Sequence, residues 1–126
     1  DAAFDSNMRA IVDATLNRGI IPVLSTFSYD PGMGLWRQSV NFNRRLVQIA
    51  EDYQVPLINL WLAARSLPAY GLEVDHVHMK HWGSYNLYFT RGSTAYSGAA
   101  LRNLLAIRML DEIRNTIMLD AGASGE

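Results

Sequence analysis

The chain has 126 residues, 49% of them hydrophobic, with 11 basic and 12 acidic side chains for a formal charge of -1. A chain of this length buries roughly two thirds of its unfolded surface, so one small globular domain is expected and a disordered body is excluded. The balanced charge offers no long-range field for nucleic acid or an acidic membrane, and the absence of cysteine excludes disulfides, thiolate zinc sites and a cysteine nucleophile.

No run approaches the roughly 18 to 20 apolar residues that span a bilayer, and no basic segment followed by an apolar run opens the chain. The sequence starts at Asp1 without an initiator methionine and goes straight into an amphipathic segment. The start therefore reads as an internal boundary, with something upstream removed or carried by another chain.

Phe4, Met8, Ile11, Val12 and Leu16 recur at spacings of three and four, one face of a helix, and Gly19 follows as a left-handed stop. The run Ile20-Ile21-Pro22-Val23-Leu24 lacks alternation, which predicts a parallel strand buried on both faces, with Pro22 near its first residues where no ladder donor is needed. Residues 25–34, rich in Ser, Tyr, Asp, Pro and Gly, form a loop at the strand's carboxyl end, where ligand sites of α/β folds usually lie. A second helix is expected from about Gln38 to Tyr53, with Val40, Phe42, Leu46, Ile49, Ala50 and Tyr53 mostly on one face and Arg44, Arg45, Gln48, Glu51 and Asp52 on the wet side. A second buried strand, Val55 to Leu60, leads almost without a turn into a helical stretch, Trp61 to Leu67. Two strand-helix units in series imply a parallel sheet with right-handed crossovers.

Residues 68–98 are irregular and aromatic, and they hold all three histidines with Trp82, Tyr85, Tyr88, Phe89 and Tyr96. Long loops in compact domains usually carry function. A last helix from about Ala99 to Leu119 places Leu101, Leu105, Met109, Ile113 and Ile117 four apart and docks on the sheet. The body is thus 1–119, and the small polar tail 120–126 is expected to fray.

The chemistry concentrates in Asp75-His76-Val77-His78, an acid and a histidine three residues apart. A histidine that takes a proton from a hydroxyl near neutral pH needs an acid to fix its tautomer and stabilise the imidazolium. Asp75 suits that role for His78. The bland alternative is that the pair closes a turn through side-chain to backbone bonds. No serine in the chain sits in a glycine-flanked elbow; Ser25 and Ser28, at a strand's end, read as loop caps. Trp36, Trp82, Tyr85 and Tyr88 either line a pocket or plug the edge of the core.

The order of parts resembles the carboxyl-terminal half of the SGNH, or GDSL-type, serine hydrolases. The resemblance rests on Ile20 to Leu24 ending in Ser25-Thr26, the helix opening with Asn41 and Asn43, the strand Pro56 to Leu60, and Asp75-x-x-His78 about fifteen residues beyond it. It implies part of a three-layer α/β/α flavodoxin-like parallel sheet that lacks its N-terminal strands. It also implies Asp75 and His78 as catalytic acid and base, an ester-type small-molecule substrate, no cofactor, and a lean toward the cell envelope or exterior.

The family's glycine-aspartate-serine and glycine-x-asparagine blocks, which supply nucleophile and oxyanion donors, are absent, so the chain alone is expected to be inactive. His76 stands where the family usually has glycine, and Asn59 where aspartate is common. Two rivals stay open. One is a zinc site, since His76-x-His78-x-Lys80-His81 approaches the His-x-His-x-Asp-His pattern of the metallo-β-lactamase fold, with lysine replacing the aspartate. The other is a non-catalytic interaction or structural subunit derived from a hydrolase fold. In both the hydrolase and the subunit reading, the strand Ile20 to Leu24 is expected to pair with a strand from a missing N-terminal half or a partner chain.

Overall fold

The structure, a computed structural model, describes residues 2–34, 36–84 and 86–123. It is a mixed α/β chain, mostly helical, around a two-stranded parallel sheet. Helix α1 (Ala2–Leu16) leads into strand β1 (Leu24–Ser25), then helix α2 (Trp36–Tyr53), strand β2 (Leu57–Ile58) and the short helix α3 (Leu60–Ala64). A 3₁₀ turn at Pro68–Gly71, the one-turn helix α4 (Arg91–Thr94) and the long helix α5 (Gly98–Ala123) complete the chain.

Leu24 pairs with Leu57 and Ser25 with Ile58 in parallel register, as two strand-helix units in series require. Leu24 and Leu57 share one face, and α1 and α2 cover it. The core there consists of Val12, Leu24, Ile49 and Ala50, with Met8, Tyr53, Val55 and Leu57 packed against it. Helix α5 reaches β2, α3 and α4. Gly19, at φ 70°, ends the turn after α1 in the left-handed region that glycine adopts without penalty.

Both strands are shorter than their apolar runs suggested. The expected strand from Ile20 to Leu24, buried on both faces, is instead Leu24–Ser25, and Ile20 and Ile21 are 55% and 45% exposed. Pro22 cannot donate to a ladder, and among the described residues no second strand lies along the outer edge of β1. The strand expected from Val55 to Leu60 narrows to Leu57–Ile58, and α3 starts one residue before Trp61 and stops at Ala64. On α1 the expected apolar face is only partly used: Val12 is fully buried, whereas Ile11 and Leu16 stay exposed.

Helix α5 runs to Ala123, so residues 120–123 are helical rather than frayed, while 124–126 lie outside the described residues. Leu101, Leu105, Met109 and Ile113 are half-buried, but Ile117 is exposed. An i, i+4 repeat advances about 400° per step on a helix of 3.6 residues per turn, so from Leu101 to Ile117 the row drifts by about 160° and leaves the packed face.

Candidate functional site

Asp75 and His78 sit at the tip of a small antiparallel excursion. Leu72 bridges Met79, Glu73 N–H donates to His78 O at 2.8 Å, and His76 N–H donates to Glu73 O at 3.0 Å. Its base is tied to α5: Lys80 N–H donates to Gly71 O at 2.8 Å, while Lys80 O accepts from Ala99 N–H at 3.0 Å and from Ser97 Oγ at 2.7 Å.

Within the tip, Asp75 uses both carboxylate oxygens. Oδ1 accepts the backbone N–H groups of Val77 and His78, each at 3.0 Å, the local turn that short acidic side chains form with residues two and three further on. Oδ2 lies 2.6 Å from His78 Nδ1. A carboxylate can only accept, so Nδ1 carries the proton and Nε2 is left as the ring's basic nitrogen. Turn closure and the contact of the acid with the histidine are therefore both present, one on each oxygen.

The electrostatics follow from this geometry. The hydrogen bond from His78, followed by the N–H groups of Val77 and His78, holds the Asp75 carboxyl well below the usual carboxylate range. The bond to Asp75 and the charge of its carboxylate raise His78 above the ordinary histidine value, against a smaller lowering by desolvation. The His78 side chain is 79% exposed and that of Asp75 48%.

His76 takes the left-handed conformation, φ 59°, at the position where the resembled family uses glycine. Its Nδ1 lies 2.7 Å from Asp30 Oδ2, close enough for an ion pair, yet this buried nitrogen has no aligned hydrogen bond. The contact is thus one of proximity, and it joins the 75–78 turn to the loop after β1. In the sequence Asp30 reads only as part of that loop's turn composition. The Asp30-Pro31-Gly32 run was the available signal, because Asp30 Oδ1 accepts Gly32 N–H at 2.8 Å and shapes the loop locally.

Between this loop and the turn lies a cleft of about 320 Å³. Phe27, Met33, Trp36 and Val77 give it an apolar wall, with Asp30, Asp75 and His76 at the same concavity. The 25–34 loop thus borders the concavity that holds Asp75. Buried Asn43 on α2 fixes the loop's start: its Oδ1 accepts Phe27 N–H at 3.0 Å and its Nδ2 donates to Phe27 O at 2.8 Å. Asn41 is exposed. Asn59 caps α3, accepting Leu62 N–H at 3.1 Å and the Thr26 hydroxyl at 3.2 Å, while Thr26 Oγ1 accepts Trp61 N–H at 3.0 Å.

The serines at the strand end are structural. Ser25 Oγ donates to Thr26 O and Ser28 Oγ to Tyr70 O, and further along the chain Ser93 and Ser97 also donate to backbone carbonyls. Trp82 packs edge-on against Tyr96, Tyr88 is exposed, and Tyr85 lies outside the described residues. Arg44 and Arg45 are exposed on α2.

The three histidines face three different partners. His76 meets Asp30, His78 meets Asp75, and His81 Nδ1 accepts from Asn86 Nδ2 at 2.7 Å. Lys80 Nζ lies 4.3 Å from the centre of the Tyr96 ring. Among the described residues no three His, Cys, Asp or Glu side chains converge on a point where a metal ion would sit, so the spacing that suggested a shared zinc site does not become a ligand set. No helix of the described residues is long and apolar enough to cross a membrane. Comparison with protein-family models, curated proteins and solved structures yields no match.

Proposed function

We propose that this chain is the acid-base-bearing, carboxyl-terminal part of a serine ester hydrolase of the SGNH, or GDSL, kind, whose nucleophile and oxyanion donors come from a segment or chain outside this sequence. The observation that carries the reading is the 2.6 Å contact between His78 Nδ1 and an Asp75 carboxylate that two backbone N–H groups already orient. In such an enzyme His78 Nε2 accepts the proton of the serine hydroxyl as its oxygen attacks the ester carbonyl. It then returns that proton to the leaving alcohol, while Asp75 fixes the ring and stabilises the imidazolium. The chemistry needs no metal or cofactor, because protein dipoles and protonation states supply it.

The finer fold belongs to the same proposal: β1 and β2 are the last two strands of a flavodoxin-like sheet with helices on both faces. Leu24 and Thr26 direct their N–H groups to β2, so alternation turns the amide of Ser25 to the opposite edge. Ile20 and Ile21, exposed in the segment that leads into β1, add apolar surface that further elements of such a fold would cover.

The exposed apolar surface also favours a second reading, a non-catalytic subunit that binds a partner through the same edge. One experiment separates the two. A fluorophosphonate probe is applied to the protein isolated with its native partners or its full parent chain, and the labelled residue is mapped. Labelling of a serine that is lost in His78→Ala supports the hydrolase; folded assembly that takes no label overturns it and leaves the subunit.

A further inference from the structure

We propose that the cleft between the 27–34 loop and the 75–77 turn binds the uncharged, apolar acyl group of the ester. This inference rests on the hydrolase reading for the word acyl, and on the cleft alone for the word apolar. Phe27, Met33, Trp36 and Val77 are each partly exposed, and all four converge on one concavity of about 320 Å³, the lower end of the size of small-ligand pockets.

Several polar atoms around the cleft are already engaged within the protein, while His76 Nδ1 has no aligned hydrogen bond. Ser28 Oγ donates to Tyr70 O, Asp30 Oδ1 accepts Gly32 N–H while Oδ2 faces His76, and both oxygens of Asp75 are in use. Ser39 also has a partner. A hydroxylated or charged chain entering the cleft would give up water against a wall that is mostly apolar, which is costly. An anionic chain would in addition face the carboxylates of Asp30 and Asp75. An alkyl chain incurs neither penalty and covers aromatic and thioether surface. Asp75 belongs to both the cleft wall and the proton relay, so the site for the acyl group adjoins the group that orients the base.

The test uses 2-butanone, 2-hexanone and 2-octanone, uncharged carbonyl compounds that cannot be hydrolysed, titrated into the protein in its full parent chain or with its native partners and followed by amide NMR shifts. The expected result is saturable shifts at residues 27–36 and 75–77. Affinity should rise up to about fourfold per methylene until the cleft is full. Trp36→Ala weakens binding of the longest ketone, and Trp82→Ala, outside the wall, does not. Shifts that do not strengthen with chain length, or that fall on Ile20, Ile21 and Ile117 instead, overturn the proposal. Because no ketone is turned over, its failure is separate from that of the hydrolase reading, which the fluorophosphonate experiment decides.

Discussion

His76 and Asp30 meet across 2.7 Å without hydrogen-bond alignment, and the histidine is left-handed, at φ 59°, to make that approach. Two opposing effects are tied to one side chain. A non-glycine residue in this region costs about 1 to 2 kcal/mol of backbone energy, whereas a partly exposed polar contact of this kind returns at most about 1 kcal/mol.

The backbone effect should win when His76 is replaced. His76→Gly is expected to be at least as stable as the native chain, and more stable than His76→Ala by about 1 kcal/mol, since alanine keeps the strain and drops the contact. Urea denaturation of the three proteins measures this. Equal stability of the glycine and alanine variants would show that the left-handed turn is not adopted in solution.

The Asp75–His78 pair makes stability depend on pH with a sign fixed by the direction of each shift. His78 is raised, so its contribution is complete below the ordinary histidine value near 6.5 and is lost as pH rises through the raised value. Asp75 is lowered, so its contribution is complete above the ordinary carboxylate value near 3.9 and is lost as pH falls toward the depressed one. Both are in place between about pH 4 and 6.5. The Tm difference between native protein and Asp75→Asn should be greatest in that window, and an NMR titration should find His78 lowered toward its ordinary value in the variant. An unchanged His78 titration would mean that the 2.6 Å contact is not populated.

Much of this architecture is legible in the sequence because it follows from periodicity and local turn chemistry. The α1 and α2 patterns, the glycine stop at Gly19, the parallel order of two strand-helix units and the pairing of Asp75 with His78 all depend on residues a few positions apart. What the sequence conceals depends on distant neighbours. Ile20 and Ile21 have the composition of buried strand, but burial requires a covering layer that no periodicity reports. The four-residue repeat of α5 reads as one face, although the helical pitch carries Ile117 off it. The meeting of Asp30 with His76 joins residues 46 positions apart, and nothing local to either one announces it.

Asn43 illustrates a buried polar residue with a single structural duty. At 6% exposure it holds both backbone groups of Phe27, at 3.0 and 2.8 Å. Asn43→Leu keeps the volume approximately and removes both partners, so it should cost about 2 to 4 kcal/mol, as two backbone groups at a part-buried position lose their bonds. The loop should loosen with it. Denaturant midpoints and amide exchange across residues 27–34 provide the check, and unchanged exchange in a destabilised variant would separate the loop from Asn43.

Glycine substitutions at the base of the 72–79 excursion and at the rim of the cleft should diverge sharply. A Cβ on Gly98 would run into the carbonyl of Gly71, and one on Gly71, already at φ 70°, would stand 2.8 Å from the Gly98 Cα. The obstructing atoms are backbone and cannot swing aside. Within a helix alanine normally gains about 1 kcal/mol over glycine, so Gly98→Ala reverses an intrinsic preference, and overpacking of this kind costs about 1 to 3 kcal/mol. The strain falls on the turn bearing Asp75 and His78, because the Gly71 carbonyl accepts Lys80 N–H and Lys80 O accepts Ala99 N–H, the bonds that seat that turn on α5. Gly34 is the control: it lines the cleft, its Cβ would meet nothing within 4 Å, and Gly34→Ala should change stability by less than about 0.5 kcal/mol. Thermal unfolding of the two variants, with His78 ring shifts recorded on each, tests both halves. A Gly98→Ala protein as stable as the native one, with an unmoved His78 resonance, would show that α5 does not press against the excursion in solution.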